Sequence, residues 1–153
     1  MQEPVAFSEQ RQVTKADVAL RLARNLVQQK VLFNPKHEVG VVFFGTQETN
    51  NALQSDGYEH VTVAREGKMD ASDLDALRIF SVPPAGGEES DAVNGLIIAL
   101  DLMINHTKEQ KYQKTIRLLT DGHSAMPGDE DLLECARKLE VTGTKLLITP
   151  VGT

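Results

Sequence analysis

The sequence predicts a three-layer α/β domain, in which helices cover both faces of a mainly parallel, Rossmann-like sheet. Apolar runs typical of buried strands alternate with segments whose apolar residues recur at helical spacing. Polar or glycine-containing loops follow the apolar runs, as expected at the carboxyl ends of strands in such a sheet. A chain of 153 residues is long enough for one domain with a substantial core. We therefore predict a single domain over residues 1–153, with an irregular segment at residues 1–13.

The amino-acid composition argues against some kinds of binding partner. The formal net charge is −6, and no run of Lys and Arg is longer than a pair, so the sequence shows no basic footprint for nucleic acid. Cys135 is the only cysteine, which excludes an internal disulfide and a cysteine-based zinc site. The apolar runs are shorter than the ~20 residues of a membrane span. We expect no membrane partner.

The first half of the chain predicts one long helix and one buried strand. Thr14 is a candidate N-cap, with Asp17 completing an imperfect capping box. Asn34-Pro35 ends the helix. The next segment, Val39–Phe44, has no polar residue to alternate with, which is typical of a strand buried on both faces. A polar loop over residues 46–51 follows, where binding is expected. The helix carries an apolar stripe formed by Val18, Ala19, Leu22, Ala23, Leu26 and Val27.

Weaker patterns follow in the middle of the chain. Tyr58–Ala64 alternates between apolar and polar residues, which predicts a more exposed strand near a sheet edge. Asp70–Asp73 is expected to cap a short helix. Pro83–Gly87 is a clear break between elements. The short helix would place Leu74, Leu77 and Ile79 on its apolar side.

The last part of the chain predicts two helices and two strands. Ser90 or Asp91 caps a helix, Thr115–Leu119 is a buried strand, Asp129–Leu139 is a helix, and Lys145–Val151 is a final strand. The first of these helices has a predicted buried stripe of Val93, Leu96, Ile97, Leu100 and Ile104. The second is predicted to turn Leu132, Leu133, Ala136 and Leu139 inward, with Cys135 as a small core or boundary residue.

One strand is missing from this pattern. A parallel sheet is built from strand–helix–strand crossovers, yet no buried strand precedes the first helix. Residues 1–13 are polar apart from Val5–Phe7. We therefore expect the domain to lack its first central strand, and, because the last strand is followed directly by Thr153, to lack a closing C-terminal element. Such a chain would expose apolar surface and be unstable or poorly soluble alone.

Asp121 is the most plausible residue for chemistry, since it directly follows a buried strand. It could be a metal ligand or catalytic carboxylate, but Asp-Gly after a strand is also ordinary turn chemistry, which we favour. His123-Ser124 lies close to Asp121, although such adjacency in sequence is weak evidence for a triad. The sequence has neither a G-x-S-x-G elbow nor a Walker-type phosphate loop.

A second candidate lies around Leu53 and Tyr58, two large apolar residues that flank the polar segment Gln54–Gly57. They could form a local core, which is the commoner case. They could instead form a shallow apolar docking pocket, which nearby acids would bias towards a basic peptide.

The motifs Phe44-Gly45-Thr46 and Thr120-Asp121-Gly122, together with a helix after a glycine-rich break, resemble a von Willebrand factor A domain. More narrowly, the chain resembles the N-terminal A domain of the large (eighty-kilodalton) subunit of the Ku heterodimer, from about Ala16 to Val151. The residues that carry this narrower resemblance are Thr49, Asn51, Leu53, Tyr58, Val61–Val63, Asp91, Leu96-Ile97, Leu100-Asp101, Lys111–Lys114 and Ile116.

The resemblance implies a fold with a central strand that, in metal-binding members, carries an Asp-x-Ser-x-Ser motif. This chain lacks that motif, so we expect no metal and no other cofactor, with Asp121 as a remnant metal-site position. A single carboxylate does not make a cation site. The resemblance also implies a non-enzymatic domain, although Ku proteins are sometimes described as ATP-dependent helicases.

The implied function is protein interaction within a nuclear Ku complex that acts in double-strand break repair by non-homologous end joining and in telomere maintenance. The smaller Ku subunit would be the heterodimer partner, and DNA ends would be bound by the full-length complex; no DNA-binding residue is assigned in this chain. Short basic–hydrophobic peptides of repair factors would dock on the A domain. The residues of this chain that match the family's peptide pocket are Leu53, Tyr58, Asp91, Ile97 and Leu100.

Two alternatives remain open from the sequence. The chain could be a metal-dependent, ligand-binding A domain of another protein, which would require Asp-x-Ser-x-Ser upstream. It could also be a hydrolase that uses Asp121 or His123.

Overall fold

The computed structural model describes residues 14–88, 91–108, 110–121 and 129–151. Within these ranges the α-helices span Lys15–Phe33 (α1), Leu74–Arg78 (α2), Ala92–Thr107 (α3) and Asp129–Thr142 (α4). The strands span Glu38–Val39 (β1), Val42–Phe44 (β2), Val61–Val63 (β3), Asp70–Ala71 (β4), Thr115–Thr120 (β5) and Lys145–Pro150 (β6). The predicted α/β class is confirmed.

The strands of the described segments form three separate pairs. β1 pairs with β4 and β2 with β3, both antiparallel, whereas β5 and β6 are parallel. Helix α3 packs against β2, β3, β5 and α4, and α1 packs against β5 and α2. The domain is therefore held together through α3, because no ladder of hydrogen bonds joins one pair of strands to the next within the described residues.

An open cavity of about 1350 Å³ lies between β2 and β5. Its walls come from these two strands and from α1 and α3.

The prediction of one continuous strand over Val39–Phe44, buried on both faces, is wrong. The segment is divided at Gly40-Val41 into β1 and β2, which pair with different partners, and its apolar side chains are only half-buried. A Cβ atom at Gly40 would lie 2.7 Å from Met69 Cγ. Glycine at this position therefore allows the chain to pack closely against Met69, which directly precedes β4. Half-burial follows because β2 borders the open cavity.

The alternation in Tyr58–Ala64 is real, but the strand is shorter and less exposed than predicted. Only Val61–Val63 is a strand, and Val61 is fully buried while Thr62 lies on the other face. β3 nevertheless pairs only with β2 among the described strands, which agrees with an edge position.

The start of α1 is confirmed. The Asp17 backbone N–H donates to Thr14 Oγ1 at 3.1 Å, and the Thr14 N–H donates to Asp17 Oδ2 at 3.0 Å, which is a complete capping box. Of the predicted buried stripe only Val27 is buried, because the helix faces the cavity instead of a filled sheet.

Two shorter helices are packed differently from the prediction. Asp73, the last residue of the predicted capping segment Asp70–Asp73, caps α2, but Leu74, predicted on the apolar side, is 64% exposed while Ala76 is buried. On α4, Cys135 is buried as predicted, but the prediction that Leu132, Leu133 and Ala136 turn inward is wrong because all three are exposed. These differences concern which side chains are buried and do not change where the two helices lie along the chain. Helix α3 keeps its predicted buried stripe except for Ile104, which is half-buried.

Candidate peptide-binding site

The loop between β2 and β3 is a folded unit organised by the side chain of Asn51. Its Nδ2 group donates to the carbonyl oxygens of Tyr58 at 3.0 Å and Val61 at 2.9 Å, and its Oδ1 accepts from the Leu53 N–H at 2.9 Å. One short amide therefore fixes both ends of the segment that carries the two candidate residues. Gly57, at φ 94°, supplies the left-handed turn that returns the chain to Tyr58.

A second network fixes the start of the same loop. The buried Thr46 hydroxyl donates to the Glu48 carbonyl at 2.6 Å and lies 3.0 Å from the Thr62 hydroxyl. His60 Nδ1 bonds to the Thr46 carbonyl oxygen at 2.8 Å. Thr46, the last residue of the Phe-Gly-Thr motif, thus has a structural role in this loop.

Leu53 and Tyr58 are brought together by this loop. Both are half-buried, and both pack against the main apolar cluster around α3 and against the smaller cluster of Val61, Val63 and Ile98. The local-core interpretation is therefore correct for their inner surfaces. Their remaining exposed surface is available at the edge of the domain.

Three acidic groups lie near enough to Tyr58 to influence its ionisation. Burial raises the pKa of Tyr58 above its ordinary value, and the negative charges of Asp131, Asp56 and Glu134 raise the pKa further. Asp56 belongs to the loop, whereas the other two acids are on α4. The exposed part of Tyr58 thus combines an apolar ring with a negative local potential.

The three remaining predicted residues lie on α3. Asp91 is its N-cap, and its Oδ1 accepts from the Val93 N–H at 2.7 Å. Ile97 and Leu100 are buried, and Leu100 is only 1% exposed. They belong to the cluster on which Leu53 and Tyr58 pack, so contact between a peptide and Leu100 would require the covering side chains to move.

Asp121, at the carboxyl end of β5, faces a lysine. Lys15 Nζ lies 3.8 Å from Asp121 Oδ2. The described residues contain no group of three His, Cys, Asp or Glu side chains that could hold a metal ion. An ammonium group beside the carboxylate is unfavourable for a divalent cation at this position. Gly122, His123 and Ser124 lie outside the described residues.

Sequence reasoning missed three contributors to this region. Asn51 was noted only as part of a family motif, although Asn beside a turn commonly bonds to nearby backbone. Asp131 and Glu134 could not be assigned, because more than seventy residues of chain separate them from Tyr58. Their i, i+3 spacing was the only available signal that they share a helix face.

The fold and this loop define an α/β domain of the Ku type. The family described as the Ku70/Ku80 N-terminal alpha/beta domain matches residues 1–144, and the chain belongs to this family. The described helices include none that is both long and apolar enough to cross a membrane.

Large-subunit proteins are among its relatives. The chain is 36% identical over 114 residues to X-ray repair cross-complementing protein 5 of Dictyostelium discoideum, covering 74% of this chain and 14% of that protein. It is 35% identical over 104 residues to ATP-dependent DNA helicase 2 subunit KU80 of Oryza sativa subsp. japonica, covering 66% and 15%. A protein of the same name in Arabidopsis thaliana is 32% identical over 130 residues, covering 79% and 19%.

The resemblance to the N-terminal domain of the Ku large subunit is thereby confirmed. The chain spans less than a fifth of the length of these curated relatives.

Proposed function

We propose that this chain is a non-catalytic interaction domain of a Ku large subunit, which docks short basic–hydrophobic peptides in double-strand break repair by non-homologous end joining and in telomere maintenance. The proposal includes a heterodimer with the smaller Ku subunit, DNA-end binding by the full-length complex, and nuclear localisation. It is supported by membership of the Ku family and by relatives whose names refer to X-ray repair and to a DNA helicase subunit.

The observation that carries the docking role is the environment of Tyr58. Its ring and Leu53 supply an apolar surface backed by the core, and Asp56, Asp131 and Glu134 place negative charge around its hydroxyl. A peptide that joins an apolar side chain to a Lys or Arg complements both properties. Asp91 adds a partly exposed carboxylate at the start of α3, while Ile97 and Leu100 support the surface from below.

A non-catalytic role agrees with the chemistry at the carboxyl end of β5. Its carboxylate, Asp121, is 3.8 Å from the Lys15 ammonium group, and both side chains are about one-third exposed. A general base or metal ligand would instead be expected in a water-excluded crevice with further catalytic groups. The proposal therefore assigns Asp121 a structural ion pair.

Peptide binding tests the proposal directly. A fluorescein-labelled peptide with one Lys-Arg pair and two leucines is titrated with the 153-residue chain, and anisotropy is recorded. Leu53→Arg and Tyr58→Ala should each weaken binding at least tenfold, and Asp131→Asn with Glu134→Gln should weaken it several-fold, more so at low salt.

Leu133→Arg is the matched control, because Leu133 is 64% exposed and lies on the outer side of α4. It introduces the same charge as Leu53→Arg but should leave the affinity unchanged. If wild type, Leu53→Arg and Tyr58→Ala bound the peptide equally well, the peptide-binding surface would not be at this loop.

A further inference from the structure

We propose that Lys138 is a specificity-determining residue of the surface around Tyr58, because its ammonium group competes with the cation of a bound peptide for the Glu134 carboxylate. Lys138 lowers the affinity for basic peptides and leaves the affinity for uncharged peptides unchanged. The inference rests on the proposed function, since it concerns the same docking surface. It adds to that function a residue which limits how strongly the surface prefers basic ligands.

The first support is the position of Lys138 on α4. Asp131, Glu134 and Lys138 follow one another at spacings of three and four residues, so they form one stripe along the helix. The two acids of this stripe raise the pKa of Tyr58. Burial raises the pKa of the Cys135 thiol, and the charge of Lys138 lowers it, so the ammonium group acts on the domain itself. A positive charge therefore closes the acidic stripe one turn beyond Glu134.

The second support is the geometry of the ion pair. Lys138 Nζ lies 3.8 Å from Glu134 Oε1, and the two side chains are 48% and 57% exposed. This distance is longer than that of a hydrogen bond, and both groups remain in contact with water. Exposed pairs of this kind contribute little to stability. Separating the pair therefore costs little, and an arriving cation can take the place of Lys138.

The third support is the charge distribution near Tyr58. The carboxylates that act on Tyr58 are those of Asp131, Asp56 and Glu134. Among the described residues, Lys138 is the only cation that forms an ion pair with any of these three groups. Its positive charge is therefore the one that most directly offsets the negative potential of the docking surface.

These observations predict a different effect of Lys138 on different ligands. A peptide that carries Lys or Arg must approach a like charge, and its cation must replace Lys138 at the Glu134 carboxylate. A peptide that contacts only the apolar surface of Leu53 and Tyr58 does neither. Like charges placed against one ligand and not another are a general source of specificity.

The test compares two fluorescein-labelled peptides by anisotropy. One contains a Lys-Arg pair and two leucines, and the other has Gln-Gln in place of Lys-Arg. Lys138→Gln should raise the affinity of the 153-residue chain for the basic peptide about two- to fivefold, as expected for an exposed pair, and more at low salt. It should leave the affinity for the Gln-Gln peptide unchanged. Lys138→Arg keeps the charge and should bind both peptides as wild type does.

A double-mutant cycle tests whether Lys138 acts through Glu134. In a Glu134→Gln background the gain from Lys138→Gln should be at most half as large on a logarithmic scale, because the contested carboxylate is absent. Arg137→Gln is the matched control. It removes the same charge from an exposed neighbour that points about 100° away around the helix axis, and it should change neither affinity.

Leu53→Arg separates failure of this inference from failure of the proposed function. If wild type binds the basic peptide and Leu53→Arg abolishes binding, the docking surface is correct, and an unchanged affinity in Lys138→Gln overturns the role of Lys138 alone. Equal gains for both peptides, an equal gain from Arg137→Gln, or a full gain in the Glu134→Gln background would also overturn it. Absence of wild-type binding, or equal binding by Leu53→Arg, would overturn both proposals.

Discussion

The ring of Phe44 lies directly over Gly95. A Cβ atom built at Gly95 would lie 2.9 Å from Phe44 Cδ1 and 3.2 Å from Phe44 Cβ, so α3 can approach β2 only because this helix position has no side chain. The contact joins the Phe-Gly-Thr segment to the helix on which most of the core is built.

We expect Gly95→Ala to destabilise the domain by about 1–3 kcal/mol, because the added methyl group meets an atom close to the Phe44 backbone. In a Phe44→Ala background the same change should cost less, because the two ring atoms that would lie nearest to the added methyl group are absent and alanine is the better helix former. Urea unfolding of the four proteins in the cycle measures this coupling. Identical effects of Gly95→Ala in both backgrounds would contradict the contact.

Asn51→Ala should destabilise the loop that carries Leu53 and Tyr58. The change removes three hydrogen bonds and leaves partly buried carbonyl groups unpaired, at a cost of about 1–3 kcal/mol. Thermal unfolding and amide exchange at Leu53 provide the measurement. Asn50→Ala is the matched control, since Asn50 is exposed and is held through its backbone. Comparable losses from both variants would rule out a special role for the Asn51 amide.

Tyr58 should ionise at higher pH than an ordinary tyrosine, because its pKa is raised by burial and by nearby carboxylates. The folded pKa is above the unfolded one, so this contribution to stability is complete below about pH 10 and is lost as the pH rises through the folded pKa. Ultraviolet titration of Tyr58→Phe and Tyr112→Phe separates the two groups. Asp131→Asn should lower the Tyr58 pKa, and no change would contradict its proximity.

The capping box should make α1 sensitive to acid. Hydrogen bonds from the Thr14 N–H and the Thr14 hydroxyl lower the pKa of Asp17 below its ordinary value of 3.8. The contribution is therefore present above the unfolded pKa and is lost as the pH falls through the folded pKa. Thr14→Ala should cost about 0.5–2 kcal/mol at neutral pH. Circular dichroism should show a weaker acid dependence in Asp17→Asn, and an unchanged dependence would argue against the box.

The open cavity should make the isolated chain bind hydrophobic dyes. Apolar side chains of α1 that were predicted to be buried are half-buried or exposed, which leaves a contiguous accessible surface. Anilinonaphthalene sulfonate fluorescence should rise on adding the chain. A sharp, cooperative melt with no dye binding would contradict this expectation.

Sequence patterns predicted helices and strands well where interactions between residues close in sequence determine the structure. The cap at Thr14 and the buried stripe of α3 follow from spacing and side-chain chemistry within one helical turn.

Predictions failed where a distant neighbour decides the outcome. The division of Val39–Phe44 reflects pairing of its two halves with different strands, β4 and β3, which spacing along the chain does not reveal. Leu133 was placed inward by helical periodicity, yet only Cys135 and Leu139 of that helix reach the main cluster. For the site, Leu53 and Tyr58 were identified from their own sequence context, whereas Asp131 and Glu134 required the tertiary fold.

Helix α3 also determines how the domain would respond to a mechanical load. Because the described strand pairs are connected through packing on α3 and not through a continuous ladder, tension between β2 and β5 would be carried by side-chain contacts. Such contacts separate progressively over short extensions, whereas a continuous sheet resists until a row of hydrogen bonds ruptures together.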